Sequence, residues 1–109
     1  MDVKFILQGD VGIIGIEDKL DASNVQELRN SFPDYLEQSK KIIFDLNKMD
    51  FMDSTGLGVL VSCLRQANQD GGDIKVANLQ DKPRLLFELT RANKIFEIYD
   101  SIDMCKKSF

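Results

Sequence analysis

The chain has 109 residues, with 14 basic and 18 acidic side chains and a formal net charge of −4, and 43% of its residues are hydrophobic. This is enough for one domain with one core, and the acidic balance argues against a general nucleic-acid binder, whose affinity comes mainly from cations placed on phosphates. The chain contains no histidine, which excludes Ser-His-Asp and Cys-His nucleophiles and histidine-ligated zinc sites, so any catalysis would need carboxylates, lysines, hydroxyls or a cofactor.

Two β-rich segments open the chain. Val3–Gln8 and Val11–Ile16 are separated by Gly9–Asp10, and a two-residue gap of this kind predicts a hairpin. Gly12 and Gly15 lie inside the second segment, where glycine indicates a bulge or a close approach of another backbone.

A helix is predicted after a loop over residues 18–21. Ser23 or Asn24 can cap it, because each is followed three residues later by Gln or Glu in the pattern of a capping box. Apolar residues at helical spacing mark one face of residues 24–38. Pro33 lies inside this stretch and predicts a kink or an end to regular hydrogen bonding.

The middle of the chain holds a strand and a second helix. Lys41–Asp45 is an almost continuously apolar run, which is typical of a central strand buried on both faces. A polar loop over residues 46–53 follows, and apolar residues at helical spacing then predict a helix over Ser54–Ala67. Gly71–Gly72 is a strong stop signal for this helix.

A further strand and helix follow. Asp73–Ala77 predicts a strand, Asp81 can cap a helix with Pro83 in its first turn, and Asn93 is placed to end that helix in the left-handed conformation. The expected inner face of this helix consists of Leu85, Leu86 and Leu89.

The last elements complete the predicted fold. Ile95–Ile98 indicates a short strand, and Asp100–Ser101 opens a short helix with Ile102 and Cys105 facing inward. The order of elements predicts an α/β fold. We expect a mixed sheet that begins with a hairpin, continues in strand–helix alternation with parallel strands, and is covered by about four helices.

The sequence shows no pattern typical of export or of a membrane span. The N-terminus lacks the basic and apolar regions of a signal peptide, and the longest apolar runs are far shorter than the ~20 residues of a membrane span. Cys63 and Cys105 lie 42 positions apart in apolar surroundings, which favours buried free thiols in a reducing cytosol. We therefore expect one cytoplasmic domain over residues 1–109.

Residues 49–58, with the sequence MDFMDSTGLG, form the segment in which chemistry could reside. The segment follows a buried strand and opens a helix, and in open α/β sheets ligands and partners commonly meet the fold at this location. The simplest interpretation is that Asp53 or Ser54 caps the helix. The segment lacks the glycine–lysine pair of a phosphate-binding loop, the last glycine of a dinucleotide loop and the first glycine of a nucleophile elbow.

Ser54 is the candidate for phosphorylation. At a helix N-terminus, unpaired N–H groups and the positive end of the helix dipole favour an anion. A phosphate there would add about −1.5 to −2 charges beside the neighbouring aspartates. A partner docked around Gly56, Leu57 and Gly58 would be disturbed by repulsion and desolvation.

The same residues resemble a known family. KIIFDL at residues 41–46, followed by MDSTGLGVL at 52–60, is similar to the anti-sigma factor antagonist family, whose fold is the STAS domain. Residues 20–24 resemble the family's segment before its first helix, residues 73–76 resemble its fourth strand, and residues 89–101 resemble its C-terminal end. The likeness covers nearly the whole chain in order.

The resemblance implies a partner switch. In that family the unphosphorylated antagonist binds an anti-sigma factor that is also a serine kinase, which frees a sigma factor; the kinase uses ATP to phosphorylate the antagonist, and a serine phosphatase resets it. By position, Ser54 is the implied phosphoacceptor. The implied docking residues are Asp21, Asp53, Thr55, Gly56, Leu57 and Gly58. The chain would be a kinase substrate and not an enzyme, without a metal, a cofactor, a nucleic-acid partner or a membrane partner.

Three alternatives stay open at the level of sequence. Residues 44–53 superficially resemble part of a receiver domain, although the acidic pair that would hold Mg²⁺ after the first strand is missing. Asp45, Asp50 and Asp53 could hold a metal for acid–base chemistry, although aspartates that cap turns are commoner. A STAS domain could also be a scaffold or accessory subunit in another partner-switching or lipid-transport complex.

The charges near the motif give two further expectations. Residues 45–53 contain three aspartates against Lys48 alone, so a docked partner should bring positive charge. A basic edge of the third helix, interpreted as solvated, is formed by Lys82, Arg84, Arg91 and Lys94.

Overall fold

Strands and helices alternate along the chain after an opening hairpin. The computed structural model describes residues 3–109, and the first two residues of the domain expected over 1–109 lie outside that range. The elements in chain order are β1 (Val3–Gln8), β2 (Val11–Ile16), β3 (Asp18–Leu20), α1 (Val25–Gln38), β4 (Lys41–Asp45), β5 (Met49–Met52), α2 (Ser54–Gln69), β6 (Asp73–Ala77), α3 (Asp81–Leu89), a 3-10 turn (Ala92–Lys94), β7 (Glu97–Tyr99) and α4 (Ile102–Ser108).

Five strands form a mixed sheet in the order β1-β2-β4-β6-β7. The hairpin pair β1–β2 is antiparallel, with Gly9 at a φ of 62° in its turn. The other neighbours are parallel, as helical crossovers require. β4 lies in the centre, and its Ile42, Ile43 and Phe44 are fully buried. The predicted α/β fold, the hairpin and the central strand are confirmed.

The helices cover both faces of this sheet. Leu28 of α1, Leu60 of α2 and Phe87 of α3 belong to the main core on one face. On the other face, Cys105 of α4 packs with Ile43 and its neighbours in a smaller cluster. Within residues 3–109, no helix combines the length and the apolar character that crossing a membrane requires.

Both cysteines are free and buried, as predicted. Burial raises the pKa of the Cys63 thiol to about 12 and that of the Cys105 thiol to about 11. Since the thiolate is the reactive form of cysteine, neither side chain is suited to act as a nucleophile at neutral pH.

The glycines of β2 do not create a bulge, because its pairing with β1 is unbroken from Val11 to Ile16. A Cβ at Gly12 would lie 2.7 Å from Cε1 of Phe5. The Phe5 ring stacks on Tyr35 of α1, with ring centroids 4.4 Å apart. The close approach at Gly12 is therefore that of an aromatic side chain and not of a backbone.

β3 and β5 form a separate, two-stranded parallel sheet. The sequence predicts loops for both segments, and the structure corrects this. The strands are only three and four residues long, too short for a periodic pattern, and they pair because Leu20 and Met52 are both buried in the main core. Asp18, at a φ of 68°, turns the chain into β3 and donates its N–H to the Lys48 carbonyl at 2.7 Å. This pairing brings the chain after Leu20 to the start of α2.

In the first helix, the predicted capping box is wrong, and of the two outcomes predicted at Pro33 an end of the helix does not occur. α1 continues to Gln38 and does not end at Pro33, because Phe32 and Leu36 hold it against the core on both sides of the proline. The predicted capping box is absent. Asn24 takes the N-cap position without a side-chain cap. Its side chain instead accepts from the Asp21 N–H at 2.9 Å and donates to a carbonyl of β3 at 2.8 Å.

The inner face of α3 is also corrected. Pro83 and Phe87 are buried, whereas Leu85 and Leu89 are 56% and 74% exposed. The Phe87 ring contacts that of Phe96, with centroids 5.7 Å apart, and this aromatic contact rotates the helix away from the leucine face. Leu86 alone of the three predicted leucines packs against the core.

The C-terminal segment follows its prediction only in part. Arg91, at a φ of 63°, takes the left-handed position expected of Asn93. β7 begins at Glu97, two residues later than predicted, and Ile95 is exposed. Ser101 caps α4 by accepting from the Met104 N–H at 3.1 Å.

Candidate functional site

Asp53 organises the start of α2. As the N-cap it accepts a hydrogen bond from the Gly56 N–H through Oδ1 at 2.8 Å. Its Oδ2 accepts from the Ala22 N–H at 3.3 Å, and its own N–H donates to the Leu20 carbonyl at 3.4 Å. One carboxylate thus satisfies a helix N–H that would otherwise lack a partner and fastens the turn after β3 to the helix.

The turn after β3, which donates a hydrogen bond to Asp53, contains Asp21. Its Oδ1 accepts from the Ser23 hydroxyl at 2.5 Å and from the Ser23 N–H at 2.9 Å. These hydrogen bonds, first that of the hydroxyl and then that of the N–H, lower the pKa of the Asp21 carboxyl. Lys19 Nζ lies 3.7 Å from Asp21 Oδ2. The structure therefore holds an ionised carboxylate in the turn that contacts Asp53, the residue before Ser54.

The exposed part of the site consists of Ser54, Thr55 and Gly58. Ser54 is the first residue of α2, and within residues 3–109 its hydroxyl has no hydrogen-bond partner. Gly58 lies one helical turn further on, and a Cβ placed there would meet nothing within 4 Å. The hydroxyl that sequence reasoning selects is therefore accessible on a surface with little side-chain bulk.

Gly56 and Leu57 are instead buried below that surface. A Cβ at Gly56 would overlap the Leu20 carbonyl oxygen and lie 2.8 Å from its carbon, so only glycine allows α2 to approach β3 this closely. Leu57 is 6% exposed and belongs to the main core. The structure thus brings all seven predicted site residues to one end of α2. Their roles in phosphorylation and docking stay predictions.

A groove of about 770 Å³ extends from Ser54 between α2 and the segment that follows α3. On α2 it is lined by Ser54, Gly58, Val61 and Arg65, which recur at spacings of four, three and four. Such spacing places residues on one helical face. Sequence analysis did not single out Arg65, although this spacing is a signal that could have found it.

The opposite wall of the groove includes Arg91, Lys94 and Ile95. The first two belong to the basic edge that the sequence assigns to solvent, and only tertiary packing places them opposite Ser54. Arg84, from the same predicted edge, is not part of the groove and donates to the Leu79 carbonyl at 3.3 Å. The predicted edge is therefore not one continuous surface.

Two of the three aspartates of the metal hypothesis have structural roles of their own. Asp45 Oδ1 accepts from the Asn78 side chain at 3.0 Å, and Asp53 caps α2. In the described part of the chain, no group of three or more cysteine, aspartate or glutamate side chains is arranged to hold a metal ion. The antiparallel hairpin at the sheet edge also differs from the all-parallel sheet of a doubly wound receiver domain.

The fold and site define a small α/β domain whose distinguishing feature is a serine exposed at a helix start. The STAS domain family model matches residues 3–105, and the chain belongs to this family. The anti-sigma-B factor antagonist of Bacillus subtilis is 31% identical over 85 residues, which are 78% of this chain and 78% of that protein.

Solved structures agree with this assignment. A putative anti-sigma factor antagonist from Thermotoga maritima superposes with a TM-score of 0.90 at 25% identity, over 97% of this chain and 92% of that one. A sulfate transporter family protein from Wolinella succinogenes has the same fold, with a TM-score of 0.80 at 16% identity over 92% and 84% of the two chains. The fold alone therefore does not specify the partner.

Proposed function

We propose that this chain is an anti-sigma factor antagonist controlled by phosphorylation of Ser54. In the unphosphorylated form it binds an anti-sigma factor that is also a serine kinase, and a sigma factor is freed. The kinase transfers the γ-phosphoryl group of ATP to Ser54 Oγ, with loss of the hydroxyl proton and release of ADP, and the antagonist dissociates. A serine phosphatase removes the phosphate and restores the binding form.

One observation carries the proposal: the Ser54 hydroxyl is exposed at the first position of a helix whose start is fixed by other residues. Asp53 provides the cap, and Gly56 fixes the contact with β3. A kinase can therefore reach the hydroxyl without unfolding the domain. The names of the Bacillus subtilis and Thermotoga maritima relatives support the same role.

The charge of the phosphate explains how modification would change binding and not folding. It adds about −1.5 to −2 charges at a helix N-terminus, where the dipole favours an anion. The Asp53 carboxylate and the ionised Asp21 carboxylate lie on the same side of the helix start. Their negative charges repel a phosphate and disfavour its burial against the protein. The added charge therefore remains at the surface, where a docked partner meets it.

In this proposal the chain is the substrate of a kinase and not itself an enzyme. The sequence contains no histidine, and both thiols are buried with a raised pKa. These features support a role in which one hydroxyl is modified by another protein. The proposal places the chain in the cytoplasm, where the kinase and the sigma factor reside.

Intact-mass measurement with a purified anti-sigma factor kinase and ATP tests the proposal. We expect a gain of one phosphate, its loss in Ser54→Ala, and its retention in Ser62→Ala, which removes an exposed hydroxyl of the same helix outside the predicted docking residues. In a pull-down without ATP, the unphosphorylated chain should retain the kinase and Ser54→Asp should not. Equal retention of Ser54→Asp would refute the switch and favour a scaffold role that needs no phosphorylation.

A further inference from the structure

The surface around Ser54 has two signs of charge. On the side of β3 and β5 lie Asp21, Asp50 and Asp53. On the other side, the groove is lined by Arg65, Arg91 and Lys94 and by no carboxylate. All three cations are exposed, and none lies within 4.0 Å of a carboxylate oxygen of residues 3–109. The positive charge of the groove is therefore not neutralised by the fold.

The groove also has an apolar component. Val61 and Ile95 are apolar residues of its lining, and Ile95 is 53% exposed. Gly58 contributes no side chain, so the wall formed by α2 is open beside Ser54. An occupant would thus bury apolar surface while its edges met positive charge.

The dimensions favour a helical occupant. The α2 wall runs from Ser54 to Arg65, and at 1.5 Å per residue its length is about 16 Å, or roughly three helical turns. Recognition of an amphipathic helix in a groove uses anchor residues on successive turns. The cations along both walls then select carboxylates on the edges of that helix.

We propose that this groove receives an acidic amphipathic helix of the anti-sigma factor. The inference rests on the proposed function and specifies the chemistry of the partner at that site. It modifies the expectation from sequence that the partner brings positive charge: positive charge suits the side of Asp21 and Asp53, and negative charge suits the groove. Ser54 lines the groove at the N-terminal end of its α2 wall, so a phosphate on it would repel the partner's carboxylates and attract the same cations.

Charge reversal tests the proposal against the purified anti-sigma factor kinase that phosphorylates Ser54, with affinity measured by calorimetry without ATP. We expect Arg65→Glu and Lys94→Glu each to weaken binding on the order of tenfold, more strongly at low salt. Lys107→Glu on α4 is the matched control and should change affinity less than about twofold. Thermal unfolding followed by circular dichroism verifies that each variant is folded. We expect all three variants to fold, because the side chains at these positions are exposed.

Photo-crosslinking identifies the occupant. With benzoylphenylalanine in place of Ile95, we expect attachment to a kinase helix that carries several carboxylates. Attachment to a second copy of this chain, or to a kinase segment without acidic residues, would overturn the proposal.

The two proposals fail in different ways. If the wild-type chain binds the kinase and is phosphorylated, but Arg65→Glu and Lys94→Glu bind as Lys107→Glu does, the groove proposal alone is wrong. If the kinase neither binds nor phosphorylates the wild-type chain, the proposed function is wrong and the groove proposal fails with it.

Discussion

Gly56→Ala and Gly58→Ala should have opposite effects on stability, although only Leu57 separates the two glycines in the same turn of the helix. A Cβ at position 56 overlaps the Leu20 carbonyl oxygen and also lies 3.2 Å from Leu20 Cγ. A Cβ at position 58 meets nothing within 4 Å. The first substitution forces a backbone to move, and the second enters open space.

The magnitudes follow from two contributions. Alanine in place of glycine inside a helix stabilises by roughly 0.5–1 kcal/mol, and we expect this gain for Gly58→Ala. Gly56→Ala has the same gain, but forcing the Leu20 backbone aside costs about 1–3 kcal/mol, as in other overpacked cores. Because the helix contribution cancels between the two variants, their free energies of unfolding should differ by about 1–3 kcal/mol.

Urea and thermal unfolding, followed by circular dichroism under one set of conditions, measure this difference. Near this chain length 1 kcal/mol corresponds to roughly 4 °C in Tm, so Gly56→Ala should melt well below Gly58→Ala. Equal stability of the two variants, or a more stable Gly56→Ala, would refute the reasoning. A fall in kinase affinity of Gly58→Ala without a fall in stability would show that the open surface at Gly58 serves docking.

Three further predictions concern the stability of the fold. Asp53→Ala removes the cap of α2 and the contact with the turn after β3, and denaturant unfolding should show a loss of about 1 kcal/mol; no loss would contradict the capping geometry. Phe87→Ala should lower the free energy of unfolding by about 3–5 kcal/mol, whereas Leu89→Ala should change it by no more than roughly 0.5 kcal/mol. A larger loss for Leu89→Ala would indicate that the leucines form the buried face of α3. The hydrogen bond from Lys75 lowers the pKa of Glu97, so the ionised carboxylate stabilises the fold above its unfolded pKa and loses that contribution as the pH falls through its folded pKa. The difference in free energy of unfolding between wild type and Glu97→Gln should therefore shrink on acidification. A difference that stays constant with pH would contradict the pairing.

Ser54 lies between two surfaces of opposite charge, which gives the proposed switch a physical basis. The acidic turn and the cationic groove meet at this residue, so the proposed phosphate would alter the electrostatics of both sides at once. The helix that carries the serine does not depend on the serine for its cap, since Asp53 provides it. Phosphorylation can therefore change what the surface binds without changing the scaffold beneath it.

Features that depend on local periodicity could be predicted from the sequence. The apolar spacing of α1 and α2, the hairpin gap at Gly9 and the apolar run of β4 each reflect contacts between near neighbours or the burial of one continuous segment. The capping preferences of Asp53 and Ser54 place the start of α2 at these two residues, and the structure assigns the cap to Asp53. These features were enough to indicate the fold class and the end of the helix where the site lies.

Tertiary packing decided the rest. β3 and β5 are too short to show a strand pattern. They exist because each completes the other's hydrogen bonds while Leu20 of β3 and Met49 and Met52 of β5 become buried. Burial of Phe87 against Phe96 turns Leu85 and Leu89, which the sequence predicts on the inner face of α3, towards the outside. The groove beside Ser54 combines one face of α2 with residues some thirty positions further along the chain. No local pattern records such a distance, so the sequence alone could locate the serine but not the cations that face it.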